Sequence, residues 1–471
     1  MQAGGCRKGF TERETPQTNA MNGITLELIL ERRNLSQALD RVERNDGAPG
    51  VDGMRTDELR QHICRHPHEL TEAIRAGTYR PSPVLRTEIP KEESGKFREL
   101  GIPTVQDRLV QQAIAQVLSF YYDPTFSTRS HGFRPNEKAH NAIYDVLDAA
   151  DKGYRRVVDM DLEKFFDTIN HAKMVQILSE RIEDGRVISL IHKFLRADVQ
   201  LKNGHVEKRD KGAPQGGPLS PILANILLDK LDKEIEARGL RHSRYADDMV
   251  IFCKTKRAAE RVCASITEFI EKKLLLKVNR DKTKVCHIAN SELKFLGYGF
   301  YYDRAKHRIL PRLHRKTRAK FKKAVEERTQ RTTGKRMFEE PKAVVTWRTQ
   351  RTTGKSLKDY TTDLRKYIIG WFNFYKLAQF KGWAREIDQW IRRRIRMIYW
   401  KRWKKIRTKY ETLKKRGIDK QKAWEWANTS KKYWRVACSP ILHLALGDAF
   451  LEKQGWTWIG LAGAPVEWSA C

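Results

Sequence analysis

Apolar positions Leu26, Leu28, Ile29, Leu35, Leu39 and Val42 recur at helical spacing and predict helices near the front of the chain. Residues 1–21 before them are polar and patternless and read as a disordered extension. The run Asn45-Asp46-Gly47-Ala48-Pro49-Gly50 continues to Gly53 as loop chemistry. Residues 84–104 alternate as a hairpin with Glu92-Glu93-Ser94-Gly95-Lys96 at its tip. Val105, Leu109, Ile114, Val117 and Leu118 predict a helix over 105–121. Arg156–Leu162 reads as a short strand, Leu219–Ala237 as a helix, and His242–Lys254 as strand–turn–strand. Leu293–Gly299 and Arg308–Pro311 read as further short strands, and from about 313 onward the pattern is helical. Ile387, Trp390, Ile391, Ile395 and Ile398 form one apolar stripe there, surrounded by Arg392, Arg393, Arg394 and Arg396.

Composition divides the chain in the same place. Its 471 residues carry 92 Lys+Arg against 58 Asp+Glu, net +34. Residues 311–471 hold 40 against 14, net +26, and all 12 tryptophans lie between Trp347 and Trp468. The front is thus a near-neutral α/β region and the back a basic, Trp-rich helical one. So strong an excess of positive charge calls for a polyanionic partner, nucleic acid before anionic membrane. No run of 18 apolar residues predicts a spanning helix, and the opening residues lack the apolar stretch of a signal peptide. Seven cysteines without a C-x-x-C spacing argue for a reducing compartment and against a zinc ribbon. One repeat stands out: Arg328-Thr329-Gln330-Arg331-Thr332-Thr333-Gly334-Lys335 recurs unchanged as Arg348–Lys355. An exposed basic loop and a duplicated RNA contact are its two readings.

The chemistry lies in acidic segments. Tyr245-Ala246-Asp247-Asp248 sets adjacent carboxylates in a turn before the apolar Met249-Val250-Ile251-Phe252. Their repulsion calls for compensation, and a divalent cation is the usual source. Period-2 alternation puts Asp159, Asp161 and Glu163 on one face of a second strand. Two such strands suit phosphoryl transfer by hard cations about 3.5–4 Å apart. A third segment, Gly212-Ala213-Pro214-Gln215-Gly216-Gly217-Pro218-Leu219-Ser220-Pro221, joins glycines that let backbone approach a ligand to prolines that stiffen it.

Together these residues resemble a reverse transcriptase. Asp161-Leu162-Glu163-Lys164-Phe165-Phe166-Asp167 matches the first palm motif, Pro214–Pro221 the Pro-Gln-Gly-x-x-x-Ser-Pro loop, and Tyr245–Asp248 the Tyr-Ala-Asp-Asp box common in group II intron proteins. Ile89-Pro90-Lys91 with Arg98 and Gly101-Ile102-Pro103, His131-Gly132-Phe133-Arg134-Pro135, and Lys277-Val278-Asn279 with Lys282 extend the match. Phe295-Leu296-Gly297-Tyr298 and the thumb-like Gly370-Trp371-Phe372-Asn373, with Tyr375, complete it. The chain is most similar to bacterial group II intron-encoded reverse transcriptase/maturases of the compact, endonuclease-less (IIC-like) type, over roughly 22–460.

The resemblance implies an α+β right-hand polymerase: fingers and an antiparallel palm sheet over 22–312, a helical thumb or maturase domain over 313–390 holding the 20-residue duplication near 328–367, and a basic helical DNA/RNA-binding region over 391–471. An HNH endonuclease domain is not expected, because only Cys438 and Cys471 lie beyond residue 286. Asp161, Asp247 and Asp248, with the Leu162 carbonyl, are expected to ligate two Mg²⁺ (Mn²⁺ a substitute), and Asp159 and Asp167 to be structural. Lys91, Arg98, Phe166, Gln215 and Lys282 are expected at the dNTP, Phe166 as an aromatic wall against a 2′-hydroxyl. A core phenylalanine and an exposed lysine remain the alternatives for Phe166 and Lys282. Phe295, Leu296, Gly297 and Tyr298 resemble the primer-holding segment, with plain core as the alternative.

In the basic region Arg392, Arg393, Arg394, Arg396, Lys401, Arg402, Lys404 and Lys405 suit phosphate neutralisation. Trp400, Trp403, Trp424, Trp426 and Trp434 are candidates for stacking on bases or for core anchors. The implied partners are the chain's own intron RNA, target DNA and an RNA template/DNA primer duplex, bound as monomer or dimer, with no membrane. The implied setting is the bacterial cytoplasm, nucleoid-associated as a ribonucleoprotein. The activities implied are target-primed reverse transcription and assistance to splicing and retrohoming. A free-standing reverse transcriptase in repair or defence and a non-catalytic splicing factor are the alternatives.

Overall fold

The computed structural model describes residues 23–90, 97–329 and 356–462. Lys91, the hairpin tip and most of the duplicated segment lie outside them. Strands β1 (Val84–Pro90) and β2 (Phe97–Ile102) form the expected antiparallel hairpin, with Ile89 opposite Arg98. Thr104 closes it by accepting a hydrogen bond from the Asp107 N–H, which starts the helix Val105–Tyr122. Two short strands, β4 (Val199–Gln200) and β5 (Val206–Glu207), extend this sheet in the order β2-β1-β4-β5.

A second sheet is central. Strands β3 (Arg156–Met160), β6 (Arg241–Tyr245), β7 (Asp248–Cys253) and β8 (Lys284–His287) lie in the order β6-β7-β3-β8, all antiparallel. Alternation decides which residue enters which core. Val158 and Met160 of β3, with Met249, Ile251 and Cys253 of β7, face a core shared with the helices Val105–Tyr122 and Ser220–Ala237. Val157, Val250 and Phe252 face the opposite core, which continues without a break into the C-terminal helices. Both faces are covered, which explains why Met249–Phe252 is apolar throughout.

Strands β9 (Tyr298–Asp303) and β10 (Arg308–Leu313) make a hairpin, and the helices Arg315–Arg328, Leu357–Tyr375 and Lys381–Arg402 follow. The strand expected over Leu293–Gly299 is a correction. Leu296 (φ 50°) and Gly297 (φ 82°) both turn left-handed, so the chain reverses there and the strand begins only at Tyr298. Phe295 and Tyr298 exchange N–H···O=C hydrogen bonds of 3.0 and 2.9 Å across that turn. The helix Lys381–Arg402 runs unbroken through residues 390 and 391, the boundary that the family resemblance implies. Its Ile391, Ile395 and Ile398 pack in one core with Phe321, Leu364 and Phe252. Among the described residues no helix is long and apolar enough to cross a membrane.

Candidate active site

The β3–β7 register assembles the site. Met160, the last residue of β3, pairs with Met249, so Asp161 just beyond it emerges beside Asp248 at the start of β7. Tyr245 pairs with Asp248, which leaves Ala246 and Asp247 as a two-residue turn. The acidic strand and the Asp-Asp box, some 86 residues apart in sequence, thereby share one edge of the central sheet. They open on a cleft of about 480 Å³ lined by Asp159, Asp161, Asp248, Lys282, Lys294 and Lys316, among others.

Electrostatics confirms the crowding. Enclosure by protein atoms, then the charges of Asp247 and Asp161, push the Asp248 carboxyl up to about 6. Burial, then Asp248 and Asp161, push Asp159 up to about 7. Asp161 is also raised, chiefly by burial and against the pull of Lys282, whose Nζ stands 3.7 Å from Oδ2. Among the described residues no three His, Cys, Asp or Glu side chains form a group that could hold a metal ion. The carboxylates at the cleft are oxygen donors, the kind Mg²⁺ takes while keeping waters. The donor set therefore fits the expected ion.

The backbone around Asp161 is held from the side. Its carbonyl accepts from the Asn279 N–H at 2.8 Å, Leu162 bridges to Val278, and the Glu163 N–H donates to the Lys277 carbonyl at 2.8 Å. The Lys277-Val278-Asn279 motif is thus a clamp on the acidic strand, and it carries Lys282 to the cleft. Phe166 is half-buried on the short helix Phe165–Thr168, edge-on to Phe165, and its carbonyl accepts from the Ala213 N–H at 2.7 Å. The glycine-rich loop is threaded tightly there. Gly212 has φ 86°, and a Cβ on it would lie 2.9 Å from the Phe166 and Asp167 carbonyls. Gln215 lies on the same loop, and its carbonyl accepts from the Gly101 N–H of β2. The charge of Arg98, exposed on β2, reaches Asp248. Asp167 and Gln215 do not line that cleft; both line a second cavity with Arg86, Glu99 and Arg209.

Phe295 and Tyr298 are buried, while Leu296 and Gly297 line the cleft. Tyr298 Oη donates to the Phe374 carbonyl, and Thr317 Oγ1 donates to the Gly297 carbonyl at 2.7 Å. The turn is therefore tied to both helices that follow it.

The basic residues divide, and part of the expected set is corrected. Arg394 is buried and donates to Thr329 Oγ1 at 2.5 Å and Glu326 Oε1 at 3.1 Å. Arg396 is buried and donates to the Leu446 carbonyl and Asp448 Oδ1, each at 3.0 Å. Both guanidinium groups are consumed inside the protein and do not face a phosphate. Arg392 is mostly covered, 5.1 Å over the Trp458 ring and 3.4 Å from Asp448. Arg393 lies 4.0 Å over Trp434 and donates to its carbonyl at 2.9 Å. Arg402, Lys404 and Lys405 are exposed and Lys401 partly so. Trp400 and Trp403 are core anchors, Trp426 is half-buried, and Trp424 (58% exposed) and Trp434 (36%) reach the surface.

Comparison with known proteins agrees with this geometry. Residues 89–300 match the family described as reverse transcriptase (RNA-dependent DNA polymerase), and residues 341–417 match the group II intron, maturase-specific domain. Protein YkfC of Escherichia coli (strain K12) is 32% identical over 322 residues, 60% of this chain and 84% of that protein. The chain belongs to the group II intron reverse transcriptase/maturase family. The group II intron-encoded protein LtrA of Lactococcus lactis subsp. cremoris is 31% identical over 294 residues, and the match spans 49% of each chain. A solved partial Cas6-RT-Cas1–Cas2 complex aligns over 53% of this chain and 42% of that chain, at 25% identity and a TM-score of 0.34.

Asp159, expected from the sequence to be structural, lines the cleft with Asp161 and Asp248. Arg244, in the strand leading to the Asp-Asp turn, is wholly buried, and nothing in the polar run Arg241-His242-Ser243-Arg244 singles it out.

Proposed function

We propose that the chain is an RNA-directed DNA polymerase that extends a DNA primer on an RNA template, and that it also binds group II intron RNA to assist splicing and retrohoming by target-primed synthesis. The observation that carries this reading is the β3–β7 register, which brings Asp161 beside Asp248 on one sheet edge with Asp247 in the adjoining turn. Asp161, Asp247 and Asp248, with the Leu162 carbonyl, would hold two Mg²⁺. Those ions, when bound, offset the negative charge that builds on the phosphoryl oxygens and activate the primer 3′-hydroxyl. Phe166 walls the sugar and excludes a 2′-hydroxyl, Gln215 lines the nucleotide, and Lys91 and Arg98 grip the triphosphate by charge-assisted hydrogen bonds. Lys282, beside Asp161, lies on the same side of the cleft.

The turn Phe295–Tyr298 steadies the primer end, a role supported by its ties to the helices Arg315–Arg328 and Leu357–Tyr375. We assign those helices to a thumb beginning near 313 that follows the hybrid. The basic surface beyond 391, including Lys401, Arg402, Lys404 and Lys405, takes intron RNA and target DNA. Primer extension with dNTPs and Mg²⁺ tests the reading: the parent protein incorporates and Asp247→Ala, at an exposed turn, folds but does not. Continued extension by Asp247→Ala defeats the metal assignment. Splicing support without incorporation by the parent identifies a non-catalytic splicing factor instead.

A further inference from the structure

The Ala246-Asp247 turn is built on an internal scaffold that does not touch the cleft. Ala246 is buried with φ 58°, a left-handed conformation that costs a non-glycine residue energy. Its carbonyl accepts a hydrogen bond of 3.0 Å from Arg244 Nη1. Arg244 is fully buried, and its Nε donates to both Asp232 oxygens at 2.9 Å. Its Nη1 also donates to Asn225 Oδ1 at 3.0 Å, and Asn225 Nδ2 donates to the Gly132 carbonyl at 2.8 Å. Gly132 then closes the circuit. A Cβ there would lie 2.1 Å from the Ala246 nitrogen and 2.8 Å from the Tyr245 carbonyl carbon, backbone atoms that have no room to yield. The segment leading to Gly132 is stitched to β6 by the His131 N–H on the Arg244 carbonyl and the Arg244 N–H on the Arg129 carbonyl, each 2.9 Å.

Asn225 and Asp232 are seven residues apart and so share one face of the helix Ser220–Ala237. That helix emerges from the Gln215 loop, with Ser220 Oγ on the Pro214 carbonyl at 2.6 Å. A buried ion pair is a poor source of stability compared with packed apolar residues. What this pair provides is a guanidinium fixed on one side by Asp232, with a donor left for the turn.

We infer that Arg244, Asp232, Asn225 and Gly132 are positioning residues that set the Asp247 and Asp248 carboxylates at the separation a pair of divalent ions requires. This rests on the reading of those two carboxylates as metal-holding. The His131-Gly132-Phe133-Arg134-Pro135 segment thereby acquires a role, its glycine serving as a backbone seat for the catalytic turn.

The test compares Gly132→Ala, Arg244→Lys and Asp247→Ala with the parent, in the full chain on one RNA template/DNA primer hybrid. Measured are single-turnover extension rate against dNTP and against Mg²⁺, hybrid binding, and thermal melting. Displacement of a reacting group by about 1 Å costs on the order of 10²-fold in rate. The expected result is therefore a rate reduced about 10- to 100-fold in Gly132→Ala and Arg244→Lys, with half-saturating Mg²⁺ raised. The dNTP KM and hybrid affinity stay near parental values. If either variant melts like the parent and extends at the parental rate with parental Mg²⁺ dependence, the inference is overturned. It is overturned equally if the loss lies wholly in dNTP KM, or if melting falls while the rate and Mg²⁺ dependence of the folded fraction do not change. Should Asp247→Ala retain extension, the underlying site reading fails instead.

Discussion

Tyr375, at the end of the helix Leu357–Tyr375, stands against Gly297: a Cβ built on that glycine would lie 2.4 Å from the Tyr375 hydroxyl. The residue that bends the Phe295–Tyr298 turn is thereby fitted to that helix, and its φ of 82° excludes an ordinary side chain on a second ground.

Gly297→Ala is accordingly expected to cost about 1–2 kcal/mol from the left-handed backbone alone, with the hydroxyl clash adding to it. Primer extension should fall more than nucleotide affinity. Pairing the change with Tyr375→Phe removes the nearest obstructing atom and should return part of the lost stability. Thermal melting of the two singles and the double measures this, and strict additivity would show that the hydroxyl is irrelevant.

His131 gives a pH dependence. Burial opposes its charge, but Asp145 at 2.6 Å from Nε2 and Glu137 at 2.7 Å from Nδ1 outweigh burial and raise its pKa above the ordinary 6.5. A raised histidine stabilises the fold fully below the unfolded value, and that contribution disappears as pH rises through the folded value. Melting curves of the parent and His131→Gln across pH 5.5–8.5 should therefore be furthest apart at the acid end and converge toward the alkaline end.

Arg394 and the exposed pair Lys404 and Lys405 should separate stability from binding. Arg394→Met removes the donors that satisfy Glu326 and Thr329 and should cost about 1–3 kcal/mol, leaving the salt dependence of RNA affinity unchanged in the folded protein. Lys404→Gln with Lys405→Gln should leave melting unchanged and reduce the slope of log affinity against log salt by about 1 for each phosphate no longer neutralised. A lowered slope in Arg394→Met would place its guanidinium outside the protein, against the observed hydrogen bonds.

Phe166→Ala tests the sugar wall. Loss of the ring should erode discrimination against ribonucleotides by roughly 10- to 200-fold, the scale of filling or emptying an apolar pocket. Incorporation of rNTPs relative to dNTPs is the readout, and unchanged selectivity would leave Phe166 as a core residue.

Much of the site was legible because its chemistry is local. Asp161, the Pro214–Pro221 loop and Asp247-Asp248 announce themselves by residue type within short windows, and the strand readings Arg156–Leu162 and His242–Lys254 contain β3 and β7. The segment Leu293–Gly299 reads as a strand because nothing in Leu296 itself signals a left-handed turn. At the next residue, Thr317 and Tyr375 close on Gly297, contacts that only folding brings. The arginine run was misjudged for the same reason. Arg392, Arg393, Arg394 and Arg396 are one kind of residue in sequence, and which are consumed internally depends on Asp448, Glu326 and Trp434 arriving from elsewhere. Likewise the helix Lys381–Arg402 runs across the 390/391 boundary that the resemblance implies, because its apolar stripe packs as one face.

By itself the sequence determined the residue types of the candidate site, the short strands of the central sheet and the basic bias of the final third, all properties of near neighbours along the chain. Tertiary structure alone decided that the two acidic segments share an edge, that Asp159 joins them, that a buried Arg244–Asp232 pair holds their turn, and which arginines remain outside. Those outcomes depend on register and burial between residues tens to hundreds of positions apart, where the free energy of a charge is set by the partners that folding brings to it.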